Sequence, residues 1–162
     1  MSASNGTIGA HRVVVAACSH VFYSMSSHDL REKEISAINI SDMTIEACQS
    51  FLSYIYMDIE QKDFIKHRLD LLRASDKYGV LDLIDACEES LMEDIDMKNV
   101  LDRLQSASMY GLPKLNFCCI QYLVKFGKIY DIREEFNAFI QSDEWDLIGE
   151  VVNEMLSIWK GF

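Results

Sequence analysis

Residues 9–25 read Gly-Ala-His-Arg-Val-Val-Val-Ala-Ala-Cys-Ser-His-Val-Phe-Tyr-Ser-Met. Val14, Cys18, Val21 and Met25 return at steps of three and four, so the spacing predicts one helix over 12–25 with those side chains inward. His11 stands at the mouth of that helix, where a structural hydrogen-bonding role is expected. A polar, charge-mixed connection follows from Ser26 to Glu34. Ile38 and Ile40 then share a face at period two, which predicts a short strand over 35–40.

Further along, the rhythm is helical throughout. Asp42 or Thr44 is a candidate N-cap for a helix over 44–57, with Ile45, Cys48, Leu52 and Ile55 inward. A helix over 64–79 carries Leu69, Leu72 and Tyr78 inward and ends on Gly79, a residue suited to the left-handed cap. The helix over 80–94 turns Val80, Leu83, Ile84, Cys87 and Leu91 inward, and Asp82, Asp85, Glu88, Glu89, Glu93 and Asp94 form its acidic outer face. Asp96 reads as the N-cap of a helix over 97–110 that Gly111 closes. Pro113 opens the next, to about Phe126, with Leu115, Cys119, Tyr122 and Phe126 inward. Amphipathic stretches over 131–141 and 143–159 complete the chain, Trp145 and Trp159 packing on the helices before them.

Composition bounds what such a chain does. Its 162 residues are 49% hydrophobic and 25% charged, enough apolar material for a packed core. The net charge of −11 repels phosphate, so neither nucleic acid nor an anionic membrane is an expected partner. The same charge serves solubility or partner steering. Five cysteines without a Cys-x-x-Cys spacing point to free thiols and to the cytoplasm and/or nucleus, not to a zinc or redox site. No leader-like N-terminus and no long apolar run are visible, so an intracellular, soluble chain is expected.

Four ordered blocks carry a resemblance. Ala10-His-Arg12 running on to Ser19, Phe22 and Met25 resembles the opening helix of the BTB/POZ family. Phe51-Leu-Ser-Tyr-Ile-Tyr56 is similar to that family's F-L-x-Y-I-Y. Residues Leu71–Leu83 resemble its L-L-x-A-A-D-K-Y-x-L-x-x-L, and Cys87-Glu-Glu-Ser-Leu91 its C-E-x-x-L. The resemblance implies an α+β, helix-dominated fold in which a small sheet is covered by helices. It places a BTB/POZ domain at 1–95 and a BACK-like, all-helical extension at 96–162, and the combination looks like plant-type BTB/POZ proteins. Only ten residues precede His11, so the usual first helix and strand, which carry much of the dimer contact, are expected to be missing.

Many BTB/POZ members bridge a protein substrate to a cullin-3 type ubiquitin ligase through a hydrophobic-x-Glu triplet. Leu30-Arg31-Glu32 occupies that place here, and Tyr78, at the helix junction, is a further cullin-contact candidate. The resemblance thus implies an adaptor with a cullin-3 type scaffold and an unidentified client as partners. A homo- or heterodimer with BTB proteins belongs to the same expectation. The alternatives are a BTB scaffold or transcription-regulator module that binds no cullin, and a truncated relative without function. Catalysis is not expected. His11, His20, His28 and His67 have no triad-like neighbours in sequence, and Gly6-Thr7-Ile8-Gly9 lacks the Lys-Ser/Thr of a phosphate loop. No cofactor or metal is implied.

Overall fold

The computed structural model describes residues 2–3, 6–28, 39–40, 43–125, 128, 131–141 and 145–159. The chain divides into two compact units, Met1–Cys87 and Glu88–Phe162. The first holds β1 (Ser2–Ala3), β2 (Gly6–Thr7), α1 (Arg12–Cys18), α2 (His20–His28), β3 (Asn39–Ile40), α3 (Ile45–Ile55) and α4 (Gln61–Tyr78). Helix α5 (Leu81–Glu93) gives its first half to this unit and its second half to the next. The second unit continues with α6 (Val100–Tyr110), α7 (Pro113–Lys125), α8 (Arg133–Ile140) and α9 (Trp145–Trp159).

The expected α+β class is corrected by this architecture. The described residues are helical almost throughout, and strand pairing is confined to three two-residue pieces in the order β2-β1-β3. Strands of globular proteins usually run 3–10 residues. Two-residue pairs offer no face on which helices can pack, so the described residues form no small sheet covered by helices. Of the strand expected over 35–40, only Asn39–Ile40 lies among the described residues.

The helix expected over 12–25 is two helices. Ser19 sits in an extended conformation (φ −148°, ψ 124°) between α1 and α2. Its hydroxyl donates to the Tyr78 carbonyl and accepts from the Phe22 amide at 3.2 Å. A short polar side chain that satisfies backbone groups locally competes with helix continuation. The break rotates the inward stripe. Val15, Ser19 and Phe22 are buried, whereas Cys18 and Met25 are exposed, against expectation.

Phe22 then stacks on Tyr78 with centroids 4.6 Å apart, and Phe51 tilts against both rings at 6.3 and 6.1 Å. Ala47, Cys48, Leu71, Leu72 and Leu83 complete this core. Thr44, not Asp42, caps α3, its hydroxyl accepting from the Ala47 amide at 3.2 Å. Leu69, expected inward, is exposed on α4.

The second unit has its own core of Leu104, Ala107, Leu115, Cys119, Leu123 and Val151. Asp96 and Asn99 cap the turn into α6 reciprocally. Asp96 Oδ1 accepts from the Lys98 and Asn99 amides at 2.8 and 3.0 Å, and Asn99 Oδ1 accepts from the Asp96 amide at 2.9 Å. Two buried charges each serve a helix end. Arg103, 5% exposed, donates to the Leu91 carbonyl in the last turn of α5 and pairs with Asp94. Glu88, expected on the acidic outer face, is instead 3% exposed. Its Oε1 accepts from the Lys114 and Leu115 amides at 2.8 and 3.1 Å, at the start of α7. The side chains of Trp145 and Trp159, and all of Phe126, lie outside the described residues.

Candidate interaction surface

Two helix endings shape an open apolar groove of the first unit. Helix α3 closes with the Asp58 amide donating to the Ser53 carbonyl at 2.8 Å and the Met57 amide to that of Tyr54 at 2.9 Å. This hydrogen-bond pattern needs a left-handed residue at Met57, whose φ is 58°. Glycine is the easy occupant of that conformation. A methionine pays a steric cost there, and its side chain is 94% exposed.

Helix α4 closes in the same manner at Gly79 (φ 66°), with the Val80 amide donating to the Ser75 carbonyl at 2.9 Å. Here a second demand falls on glycine. A Cβ at Gly79 would lie 2.6 Å from the His20 ring, so the imidazole occupies the space that any side chain needs.

Between these endings lies a groove of about 630 Å³. It runs from Ala17 and Cys18 at the end of α1, past Tyr54 and Met57, to Val80, Leu81 and Asp82. Leu81 is 71% exposed. Most of this lining is apolar and Asp82 is its one charge, a composition suited to a helix or loop of another protein. His11 bonds to Tyr56, the residue before Met57. Its amide donates to the Tyr56 hydroxyl at 2.7 Å, and its Nδ1 lies 3.0 Å from the same oxygen. The structural role expected of His11 matches this geometry.

Of the residues expected to contact a cullin, Leu30 and Glu32 lie outside the described residues. Tyr78 is described and is 2% exposed, its ring held between Phe22 and Phe51. The structure therefore brings Tyr78 to the core of the helix junction, with Val80 and Leu81 one step beyond it on the open groove. Sequence reasoning missed Met57 and Leu81 as exposed apolar groups. The signal at Met57 was a bulky residue at the close of a helix, where a turn-former is the rule.

Other chemistry is sparse. No three His, Cys, Asp or Glu among the described residues come together to hold a metal ion. No helix among them is long and apolar enough to cross a membrane. The five cysteines are free. Burial raises the thiol of Cys48 and pushes those of Cys87 and Cys119 up to about 12. Cys18 is exposed on the groove.

The BTB/POZ domain family matches residues 2–95, more than half of the chain. The chain belongs to the BTB/POZ family. Two BTB/POZ domain-containing proteins of Arabidopsis thaliana are similar to it. One is 59% identical over 162 residues, covering all of this chain and 49% of its own length. The other is 52% identical over 157 residues, covering 97% of this chain and 48% of its own length. Protein maternal effect lethal 26 of Caenorhabditis elegans is 35% identical over 118 residues, covering 72% of this chain and 30% of its own length. The chain thus spans about half the length of these plant BTB/POZ relatives.

Proposed function

We propose that this BTB/POZ chain is a protein-interaction adaptor that recruits a substrate to a cullin-3 type ubiquitin ligase. The observation that carries the reading is the exposed apolar groove at the α4–α5 junction, in a family whose members work by binding proteins. A partner helix laid there buries Met57 and Leu81, the kind of apolar core that protein interfaces are built around. Leu30 serves as a second apolar anchor and Glu32 fixes the register by accepting donors from the partner. Tyr78 contributes from beneath. Its packing holds the junction rigid, and a rigid docking surface loses less entropy on binding.

In this reading residues 1–95 form the BTB/POZ domain and 96–162 a BACK-like extension, and the protein works in the cytoplasm and/or nucleus. It pairs with itself or with another BTB protein, and it works without catalytic residues, cofactor or metal. The test is capture of the cullin-3 N-terminal region by the wild-type chain and by Leu30→Asp, Glu32→Lys and Leu81→Asp. Wild type captures it, and each variant weakens capture about tenfold or more, the loss of an interface anchor worth about 1.4 kcal/mol. Equal capture by all four removes the named contacts. No capture by any leaves a BTB scaffold or transcription-regulator module.

A further inference from the structure

Helix α9 has three sides, and the second unit occupies two of them. Leu147, Ile148 and Val151 are buried in the core, where α9 meets α7. Beside them Glu150 accepts from the Asn116 side-chain amide and Glu154 from that of Gln121, both at 2.7 Å, so two carboxylates clasp α9 to α7. The third side holds Gly149, Val152 and Leu156, spaced three and four residues apart and therefore aligned on one face. Val152 is 44% and Leu156 48% exposed. A Cβ placed on Gly149 would meet nothing within 4 Å, so the backbone there is open to close approach.

Single exposed apolar side chains are ordinary on any surface, and their arrangement is what sets this face apart. The gap at Gly149 and the projecting Leu156 lie on either side of Val152, three residues before it and four after. The two ends of the helix also differ in charge. Asp146 stands in the first turn, and Lys160, the only lysine or arginine after Arg133 in the sequence, follows the last.

One helix face thus carries both halves of a fit to itself. Turned about a two-fold axis beside Val152, a second copy of α9 lies antiparallel to the first. Leu156 of each copy then drops over Gly149 of the other, and the two Val152 side chains meet near the axis. The end followed by Lys160 comes to the end bearing Asp146, twice over. Antiparallel helix dipoles add to the attraction. A parallel pair sets glycine against glycine, which leaves a void, and Asp146 beside Asp146, which repels.

We propose that α9 is a self-association surface, through which two copies of this chain pair antiparallel by Gly149, Val152 and Leu156. The proposal gives a place to the self-pairing put forward above. It concerns the second unit and stands whether or not a cullin binds to the first. A pair of 15-residue helices makes a small interface, so the pairing is weak and depends on concentration.

The test is sedimentation velocity of the full chain between about 5 and 500 μM, a range that brackets a small interface. Wild type shifts from monomer to dimer across it. Leu156→Gln weakens pairing about tenfold, the scale of a lost central anchor. Gly149→Leu does the same by filling the gap. Its new side chain meets nothing within its own copy and favours the helix, so the melting temperature does not fall. Asp146→Lys and Lys160→Asp each weaken pairing about threefold, and the two together restore it to within about twofold, as the antiparallel order requires. Leu81→Asp, at the groove of the first unit, leaves pairing unchanged.

A chain that stays monomeric throughout overturns the proposal. So does pairing that Gly149→Leu and Leu156→Gln leave intact, which assigns it to another surface. Charge reversals that weaken pairing singly and are not rescued together overturn the antiparallel order, and the proposal with it.

Discussion

Replacing Glu88 with alanine tests the most specific piece of polar engineering in the second unit. The start of α7 has a complete account of its backbone donors. Pro113 has no N–H, the Lys114 and Leu115 amides both reach Glu88 Oε1, and the Asn116 amide reaches the Leu112 carbonyl at 3.0 Å. Without the carboxylate, two amides lose their acceptor, and that of Leu115 is buried. A hydrogen bond to a charged group contributes about 1.5–3 kcal/mol. Water can reach the half-buried Lys114 end and recovers part of the loss, leaving a destabilisation of about 3 kcal/mol. In a chain of this size that lowers the melting temperature by roughly 6–12 °C.

The assay is urea denaturation followed by circular dichroism, run beside Glu88→Gln and Lys114→Met. Glutamine keeps an acceptor oxygen but loses the charge that favours a helix N-terminus, so its cost is about 1–2 kcal/mol. Lys114 is mostly exposed with its Nζ 4.0 Å from Glu88, so Lys114→Met changes stability by less than about 0.5 kcal/mol. A loss below about 1 kcal/mol for Glu88→Ala, or a glutamine as damaging as the alanine, would refute the capping argument.

Three further outcomes are expected. Gly79→Ala destabilises by about 2 kcal/mol or more, from the left-handed backbone and the clash with His20, and adding His20→Ala recovers part of it in a double-mutant cycle. Met57→Gly raises stability by about 1 kcal/mol in thermal melts, because glycine adopts φ 58° without strain; no gain means that the methionine side chain supports the fold. At pH 8 a thiol reagent labels Cys18 first and leaves Cys48, Cys87 and Cys119 unreacted until the chain unfolds. Burial keeps the Cys87 and Cys119 thiols protonated in the fold, so their contribution to stability is whole below pH 9, the ordinary thiol value, and is lost as pH rises from there towards about 12. Early labelling of all five, or stability flat across that alkaline range, contradicts the burial described here.

Much of the helical framework was legible because its signals are local. Gly79, Gly111 and Pro113 stand where a helix must stop or start, and Thr44 and Asp96 offer oxygens to exposed amides. The motif Cys87-Glu-Glu-Ser-Leu91 was recognisable, yet the job of Glu88 was not. A carboxylate on a polar stripe reads as solvated, and only the arrival of α7, 26 residues later, makes it a cap. Ser19 was misread for a related reason. Steps of three and four run straight through it, and the carbonyl that draws its hydroxyl out of the helix lies 59 residues away at Tyr78. The sheet was inferred from resemblance and not from strand periodicity, which only 35–40 offered. On the candidate surface, Leu81 was hidden because apolar composition at a helix start does not reveal which face is left uncovered.

The bond from Ser19 to Tyr78 also bears on synthesis. At a translation rate of about 5–20 residues per second, the 59 residues between them take roughly 3–12 seconds to emerge. Until Tyr78 follows, Phe22 lacks the ring it stacks upon, and Phe51 arrives only about midway through that interval. A nascent chain of this protein therefore carries that aromatic segment without its full packing for seconds.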